Sequence, residues 1–352
     1  MKKQIILTAD DYGCSDFIDN GVEDAVLDGK INSVACFVSH SDSKERIKEL
    51  LGMKKILRDQ NKPTASFGIG LHFSMTSGKA LTGQSSLTDP KDKNSTYFRD
   101  AFGYDFSEIN PEDVQRELIA QLDRMREIMD GEPIDHLSHH HGFVYMHEPL
   151  FKAYAETVKV YNRKHGLDIP MRSPVAWFRR FNAGPSKEKD NKSCQNCFDS
   201  LDKKLITPAA IEGIKLMMWK KYFQTTYGVM RKRKNLTDEK EIRTPDLLCD
   251  IIYGQSSEKN PDGVRETLAK IFEIYSKTEL LTCAGYADKG FSAEMMFHVG
   301  KGELKDADVP HGINEGYFQG RIDELNALKT FDLEAALQHT NTIKSIYADI
   351  KR

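Results

Sequence analysis

The stretch QIILTADDYG, residues 4–13, decides the fold class of this chain. Residues 4–9 form a short apolar run, which is typical of a strand buried inside a parallel sheet. Asp10 and Asp11 follow where that strand would end. Neighbouring strand residues point to opposite sides, so we expect the two acids to serve separate purposes, one as a metal ligand and one as a base. The competing interpretation is a solvated turn, because Asp-Asp-Tyr-Gly suits turn geometry.

Outward from this strand, the apolar periodicity predicts alternating helices and strands. They are a helix opened by Ser15 or Asp16, a strand at 33–38, a helix at 43–57, a strand at 67–73, a helix from Pro111, a helix at about 148–165, a strand at 247–253, a helix at 264–277, a strand at 294–299 and two closing helices. This alternation predicts an α/β protein with a mostly parallel sheet or barrel and outer helices. Residues 175–245 lose the pattern, so we interpret them as an insertion on a single domain spanning 1–352.

The composition excludes several classes of protein. The 352 residues include 29% charged and 39% hydrophobic side chains, as in a folded protein, and the formal charge of −3 does not suit a nucleic-acid partner. No apolar stretch approaches the roughly 20 residues that cross a bilayer, and the run after the first lysines is too short for an export signal. We therefore expect a cytoplasmic protein. Cys194 and Cys197 form a CxxC without a second pair nearby, which favours reduced thiols over structural zinc.

Polar side chains recur at the ends of the predicted strands. They are Asp10 and Asp11, His72, His139 to His141, Arg172 and His298. The carboxyl ends of parallel strands lie at one rim, so these side chains are expected to converge on a shared pocket. Taken singly, His72 and His298 could be core histidines and Arg172 could form a surface ion pair.

The segment 136–141 contains four histidines in six residues, which packing alone does not explain. A helical site with His136 and His140 one turn apart is disfavoured, because Gly131 and Pro133 have just ended a helix. An extended backbone puts His139 and His141 on one face and His140 on the other. Imidazole is the commonest transition-metal ligand, so the segment predicts metal binding. One carboxylate and two imidazoles suit a catalytic divalent ion, and a second carboxylate beside it can accept a proton from water.

Three motifs together resemble the signatures of the YdjC-like carbohydrate deacetylases, in order and in approximate spacing. They are Ala9-Asp10-Asp11-Tyr12-Gly13, then Gly70-Leu71-His72-Phe73 followed by Thr76 and Gly78, and then Ser138-His139-His140-His141. The resemblance covers residues 1 to about 172. From Arg172 onward it is limited to that arginine and His298.

The resemblance implies a distorted (β/α) barrel and a hydrolase that uses Mg²⁺ or Zn²⁺ to remove acetyl groups from N-acetylated sugars or short oligosaccharides, by attack of a metal-bound water. Carried over by position, the metal ligands are Asp11, His72 and His139, and the general base is Asp10. Arg172 would orient the base, as in the Arg-x-Pro motif of the broader polysaccharide deacetylases. His298 would protonate the leaving amine. The expected partner is a small carbohydrate, with neither nucleic acid nor membrane, and the sequence is compatible with a homodimer.

Departures from the family pattern leave alternatives open. Leu137 replaces an aspartate, His298-Val299 replaces a histidine-proline pair, and the histidine usually found two residues after the third one is absent. These changes weaken the substrate assignment, because loops shape pocket walls. A hydrolase of another acyl or phosphoryl bond would use the same ligands, whereas a non-catalytic carbohydrate-binding protein would not need Asp10. Whether His140 or His141 also contacts the metal or the substrate stays open.

Overall fold

Parallel strands form one continuous sheet in the computed structural model of the protein, which describes residues 3–92, 94–99, 105, 108–174, 236–239, 241–250, 260–276, 290–303 and 315–350. Most of the predicted insertion, 175–245, lies outside the described residues; only 236–239 and 241–245 of it are described. The Cys194/Cys197 pair also lies outside them. The insertion and the single domain therefore stay predictions. Among the described helices, none is both long and apolar enough to cross a membrane.

The elements follow the predicted alternation. In chain order they are β1 (Lys3–Tyr12), α1 (Asp16–Leu27), β2 (Ser33–Cys36), α2 (Ser43–Asp59), β3 (Gly68–Phe73), α3 (Pro111–Met129), β4 (Leu137–His139), α4 (Phe143–Met146), α5 (Glu148–His165), β5 (Leu247–Asp250), α6 (Pro261–Ser276), β6 (Phe291–Phe297), α7 (Glu315–Thr330), α8 (Leu333–Thr340) and β7 (Thr342–Lys344).

Helix ends coincide with local sequence signals. The Ser15 hydroxyl accepts a hydrogen bond from the Ile18 backbone at the start of α1, and α3 begins at Pro111 behind an Asn110 cap. Both devices satisfy or remove backbone donors that a first helical turn leaves unpaired. Gly166 ends α5 in the left-handed conformation, with φ of 63°.

The strand order is β4-β3-β2-β1-β6-β5, with β7 also paired to β1, and every strand pairing is parallel. Beyond β4, an isolated parallel bridge joins Leu137 to Met171. Flat strands about 4.8 Å apart would place Met171 about 19 Å from β1. Yet the guanidinium of its neighbour Arg172 bonds to Asp10 on β1 at 2.7 Å and to Glu294 on β6 at 2.6 Å. The sheet therefore curls around an interior, and the predicted distorted (β/α) barrel with outer helices is confirmed.

The two faces of the curled sheet differ in chemistry. Alternate residues Ile5, Leu7 and Ala9 of β1 belong to the large apolar core that also contains the buried sides of the helices, whereas Ile6 packs with Tyr347 and Ile350 in a separate interior cluster. Cross-strand register extends this division over the sheet. The interior-facing positions include the apolar residues Ile6, Ala35 and Met296 and, beside them, Thr8, Asp10, Ser33, Gly68, Gly70, His72, Ser138 and Glu294. The polar and ionisable side chains of the sheet are therefore concentrated on its interior face.

Glycine on the interior face of β3 makes room for side chains that cross it. A Cβ on Gly70 would lie 2.3 Å from His136 Nδ1 and 2.5 Å from the His136 carbonyl oxygen. We predict that Gly70→Ala lowers the free energy of unfolding by about 1–3 kcal/mol, the usual cost of overpacking. Gly52→Ala on exposed α2, where a Cβ meets nothing within 4 Å, should instead raise it by about 0.5–1 kcal/mol. Urea denaturation of both variants measures the two changes in the free energy of unfolding. Equal changes in the two variants would contradict the predicted close contact at Gly70.

Candidate active site

The two acids at the end of β1 face the same histidine. His72 Nε2 lies 3.9 Å from Asp10 Oδ2 and 3.3 Å from Asp11 Oδ1. Asp11 adopts a left-handed backbone with φ of 71°, and the pairing with β2 shifts register between Ala9 and Tyr12. This irregularity breaks the alternation of the strand, so the expectation that the two acids point to opposite sides is wrong. Aspartate tolerates such a φ better than most residues.

A cluster suited to a metal ion forms where β1, β3 and β4 end. One donor atom from each of Asp11, His72 and His140 lies within 4.8 Å of the other two. Asp11 Oδ1 is 3.3 Å from His72 Nε2 and 3.2 Å from His140 Nδ1. Burial lowers the pKa of His140, although Asp11 opposes that effect, and a neutral imidazole is the form that binds metals.

His139, the third ligand implied by the family resemblance, is not part of this cluster. The register pairs His72 with Ser138 and Phe73 with His139, so His139 shares the helix-facing side of the sheet with Phe73. There the centroid of its ring lies 3.8 Å from the ring centroid of Tyr145 and 6.5 Å from that of Tyr154. His140 follows one residue later and returns to the interior side. The structure thus brings His140, and not His139, to Asp11 and His72.

Ser138 orients the ring of His72. Its hydroxyl lies 2.7 Å from His72 Nδ1 and 3.4 Å from the Leu71 carbonyl oxygen. If the hydroxyl donates to that carbonyl, it accepts from the Nδ1–H of His72, which leaves the Nε2 lone pair directed at Asp11. Such outer hydrogen bonds fix the tautomer of metal-binding histidines.

A buried guanidinium holds Asp10. Arg172 Nη1 and Nη2 donate to the two oxygens of Asp10, each at 2.7 Å, and Nε and Nη2 also donate to Glu294 at 3.0 and 2.6 Å. Tyr347 donates its hydroxyl proton to the same Glu294. Burial alone would raise the pKa of Asp10, but Arg172 and His72 outweigh it and lower the pKa to about 2. Asp10 is therefore ionised at neutral pH.

A second arginine, which the sequence motifs do not indicate, contacts Asp11. Arg321 of α7 donates from Nη2 to Asp11 Oδ2 at 2.5 Å, and both side chains are buried. Burial raises the pKa of Asp11, but Arg321, His140 and His72 hold it well below its usual range. Since Oδ2 is bonded to Arg321, Oδ1 is the oxygen that faces the two histidines.

His298 and His141 complete the surroundings of Asp10. His298 follows β6, its backbone N–H donates to Glu324 Oε2 at 2.6 Å, and its imidazole interacts electrostatically with Asp10 and His141. His141 is exposed, and its Nδ1 lies 3.0 Å from Thr76 Oγ1. All the strand-end residues selected from the sequence except His139 therefore lie at one rim of the barrel.

Carboxylates and guanidiniums surround the donor atoms of the cluster. Three buried carboxylates, those of Asp10, Asp11 and Glu294, contact two guanidiniums, those of Arg172 and Arg321. Asp11 keeps one oxygen, Oδ1, directed at the two histidines. This donor set of one carboxylate oxygen and two imidazole nitrogens fits a divalent cation.

Comparison with known proteins shows the family of this chain. The chain matches the family model described as "YdjC-like protein" over residues 4–339. It is 30% identical to a carbohydrate deacetylase of Vibrio cholerae serotype O1 over 160 residues, 45% of this chain and 56% of that relative. It is 26% identical to a chitooligosaccharide deacetylase of Yersinia pestis over 193 residues, 52% of this chain and 70% of that one. The match thus spans little more than half the length of the Vibrio relative.

The fold also matches a solved structure. A crystal structure from Enterococcus faecalis V583, described as a candidate cellobiose-phosphate cleavage protein, superposes with a TM-score of 0.62 at 17% identity. The superposition covers 99% of this chain and 98% of the other. At this level of identity the likeness shows the fold alone.

The Arg172–Asp10 pair predicts a pH dependence of stability in the metal-free protein. Because Asp10 has a lower pKa in the folded state than the usual 3.8, its pairing stabilises the fold above pH 4, and that contribution is lost as the pH falls through about 2. The free-energy difference between wild type and Asp10→Asn should shrink by on the order of 2 kcal/mol from pH 5 to pH 2. Urea denaturation in the presence of a chelator measures it. A difference independent of pH would contradict the pairing.

Proposed function

We propose, from the premise that this chain belongs to the YdjC-like family, that it hydrolyses the acetamide of N-acetylated sugars or short oligosaccharides with the help of a divalent metal ion. The observation that carries the proposal is the cluster of Asp11, His72 and His140 beside an ionised, arginine-bound Asp10. A site that only bound a cation would not need a second oriented carboxylate at its edge.

Asp11, His72 and His140 would hold the ion, either Zn²⁺ or Mg²⁺. Once bound, it supplies Lewis acidity, which polarises a carbonyl oxygen and makes nearby water more acidic. His140 replaces His139 in this proposal, because the backbone alternation directs His139 at Tyr145. Ser138 and Arg321 orient two of the three ligands from the outside, as hydrogen-bond partners of metal ligands commonly do.

Asp10 is positioned to accept a proton from water. Arg172 bonds to both of its oxygens and fixes the plane of the carboxylate, while Oδ2 stays 3.9 Å from His72 Nε2 at the edge of the cluster. The water oxygen forms a bond to the acyl carbon, and the carbon–nitrogen bond then breaks. His298, which interacts electrostatically with Asp10, is proposed to protonate the departing nitrogen. The products are acetate and a free amino sugar.

The names of the relatives suggest the class of substrate. The Vibrio protein is a carbohydrate deacetylase and the Yersinia protein a chitooligosaccharide deacetylase. The family-like motifs of the sequence contribute Asp10, Asp11, His72 and His140 to the rim of the barrel. We therefore choose N,N′-diacetylchitobiose as the test substrate.

Removal of the base tests the activity. Asp10→Asn should lower the rate of acetate release from diacetylchitobiose by about 10²-fold or more, the usual contribution of a positioned acid or base. Asp59→Asn, at an exposed position near the end of α2, is the matched control and should keep the wild-type rate. Acetate is measured by a coupled enzymatic assay with added Zn²⁺ or Mg²⁺. Wild-type rates in Asp10→Asn would refute the assigned base, and no acetate from wild type would refute the activity.

The third ligand is tested by metal binding. His140→Ala should weaken the binding of Zn²⁺ by about 100-fold, because a ligand contributes at least as much as the outer contacts that support it. His139→Phe keeps a ring between Tyr145 and Tyr154 and should bind Zn²⁺ as wild type does. Calorimetric titration of the chelator-treated proteins measures both. Loss of binding in His139→Phe with retention in His140→Ala would restore His139 as the ligand.

A further inference from the structure

The three consecutive histidines at the end of β4 have three different environments. His139 packs against Tyr145 on the helix-facing side, and His140 belongs to the candidate metal cluster. His141 does neither. Its side chain is exposed, its ring centroid is 3.7 Å from that of His140, and its Nδ1 lies 3.0 Å from Thr76 Oγ1. Its Nε2 makes no hydrogen bond with the residues that the structure describes.

His141 is kept in an unfavourable backbone conformation. Its φ of 56° lies in the left-handed region, and the next residue, Gly142, also has a positive φ of 70°. Histidine has a Cβ that disfavours this region, and such conformations persist where the surrounding structure enforces them, often at functional sites. The turn carries His141 away from the extended course of β4 and sets it beside His140 at the rim.

Thr76, the partner of His141, lies in a segment with a dense set of hydrogen bonds. The Ser74 hydroxyl accepts from the backbone N–H groups of Thr76 at 3.3 Å and Ser77 at 3.0 Å, and donates to the Ser77 carbonyl at 2.9 Å. Ser77 Oγ lies 3.0 Å from His40 Nε2. The position of Thr76 is therefore fixed independently of His141.

Helix α3 anchors the same segment from behind. Gln121 accepts from the Ser74 N–H at 3.1 Å and donates to the Ser74 carbonyl at 2.8 Å. One turn earlier, the fully buried Glu117 accepts from the backbone N–H groups of Leu81 and Thr82, each at 3.0 Å. These bonds make residues 74–82 a rigid wall beside the rim, and Thr76 is the residue through which that wall contacts His141.

We propose that His141 is a substrate-binding residue, whose free Nε2 forms a hydrogen bond with a hydroxyl of the sugar that bears the acetamide. This inference rests on the proposed function. A substrate whose acyl group reaches the cluster at His140 must place neighbouring sugar atoms beside the adjacent ring of His141. When the Thr76 hydroxyl donates to Nδ1, Nε2 carries the ring proton and donates; when the hydroxyl accepts from Nδ1–H, Nε2 accepts. A sugar hydroxyl both donates and accepts, so it can bond to Nε2 in either tautomer.

Equilibrium binding without turnover tests the proposal. In the Asp10→Asn background, diacetylchitobiose is titrated calorimetrically into four further variants, which are His141→Gln, Thr76→Val, Thr76→Ser and His339→Gln. His141→Gln and Thr76→Val should each weaken binding about 10-fold, the effect expected from loss of one hydrogen bond. Thr76→Ser keeps the hydroxyl and should bind as the background does. His339, exposed on α8, is the control histidine.

Two further readouts separate substrate binding from other roles. Zn²⁺ affinity should stay within about twofold of wild type in His141→Gln, since the proposal gives His141 no part in holding the ion. With Asp10 intact, His141→Gln should raise KM more than it lowers kcat. Unchanged diacetylchitobiose binding in His141→Gln would overturn the proposal, and so would an equal loss of Zn²⁺ and sugar affinity.

The outcome also distinguishes this proposal from the proposed function. Binding of diacetylchitobiose that depends on His141, in a protein that releases no acetate from it, would refute the deacetylase activity and leave the binding role of His141 standing. Acetate release by wild type, together with an unaltered KM in His141→Gln, would refute the binding role of His141 and leave the deacetylase activity standing. Failure of the Asp10→Asn protein to bind diacetylchitobiose at all would overturn the role of His141.

Discussion

The architecture depends on one buried cation, the guanidinium of Arg172. It is 1% exposed and bonds to Asp10 and Glu294, which are equally inaccessible. A buried charge is tolerated only when it is paired, and the partners here lie on β1 and β6 while Arg172 follows the far edge of the sheet at Met171. The pairing is satisfied only when the sheet is curled. The same interaction therefore holds the sheet in its curled form and orients the carboxylate proposed as the base.

The alternation of side chains along a strand explains which parts of the site were predictable from the sequence and which were not. Alternation correctly separates His139 from His140, but it does not say which of them faces the interior. That choice depends on the register with β3, where Ser138 lies beside His72, and register is a property of two strands. At Asp10 and Asp11 the alternation itself is interrupted, because Asp11 adopts a positive φ within a shifted register. Single-strand periodicity contains no sign of that irregularity.

Local sequence patterns do not predict the other residues of the site. Arg321 contacts Asp11 across 310 residues from a helix whose sequence contains no recognised motif. Glu294 did leave a signal, because it is a single acid inside the apolar strand FSAEMMF, residues 291–297, and a buried acid needs a partner. That signal identifies a buried ion pair without naming Arg172. The strand–helix order and the convergence of strand ends were predictable, since they follow from local periodicity and from the general geometry of parallel sheets.

The two arginines give adjacent carboxylates different chemistry. Arg172 engages both oxygens of Asp10, so that carboxylate is fixed in plane and fully ionised and has no oxygen left wholly free for an ion. Arg321 engages only Oδ2 of Asp11, which leaves Oδ1 directed at His72 and His140. Asp10 and Asp11 are chemically identical neighbours in the sequence. What separates a proposed base from a proposed ligand is the number of oxygens that each arginine occupies.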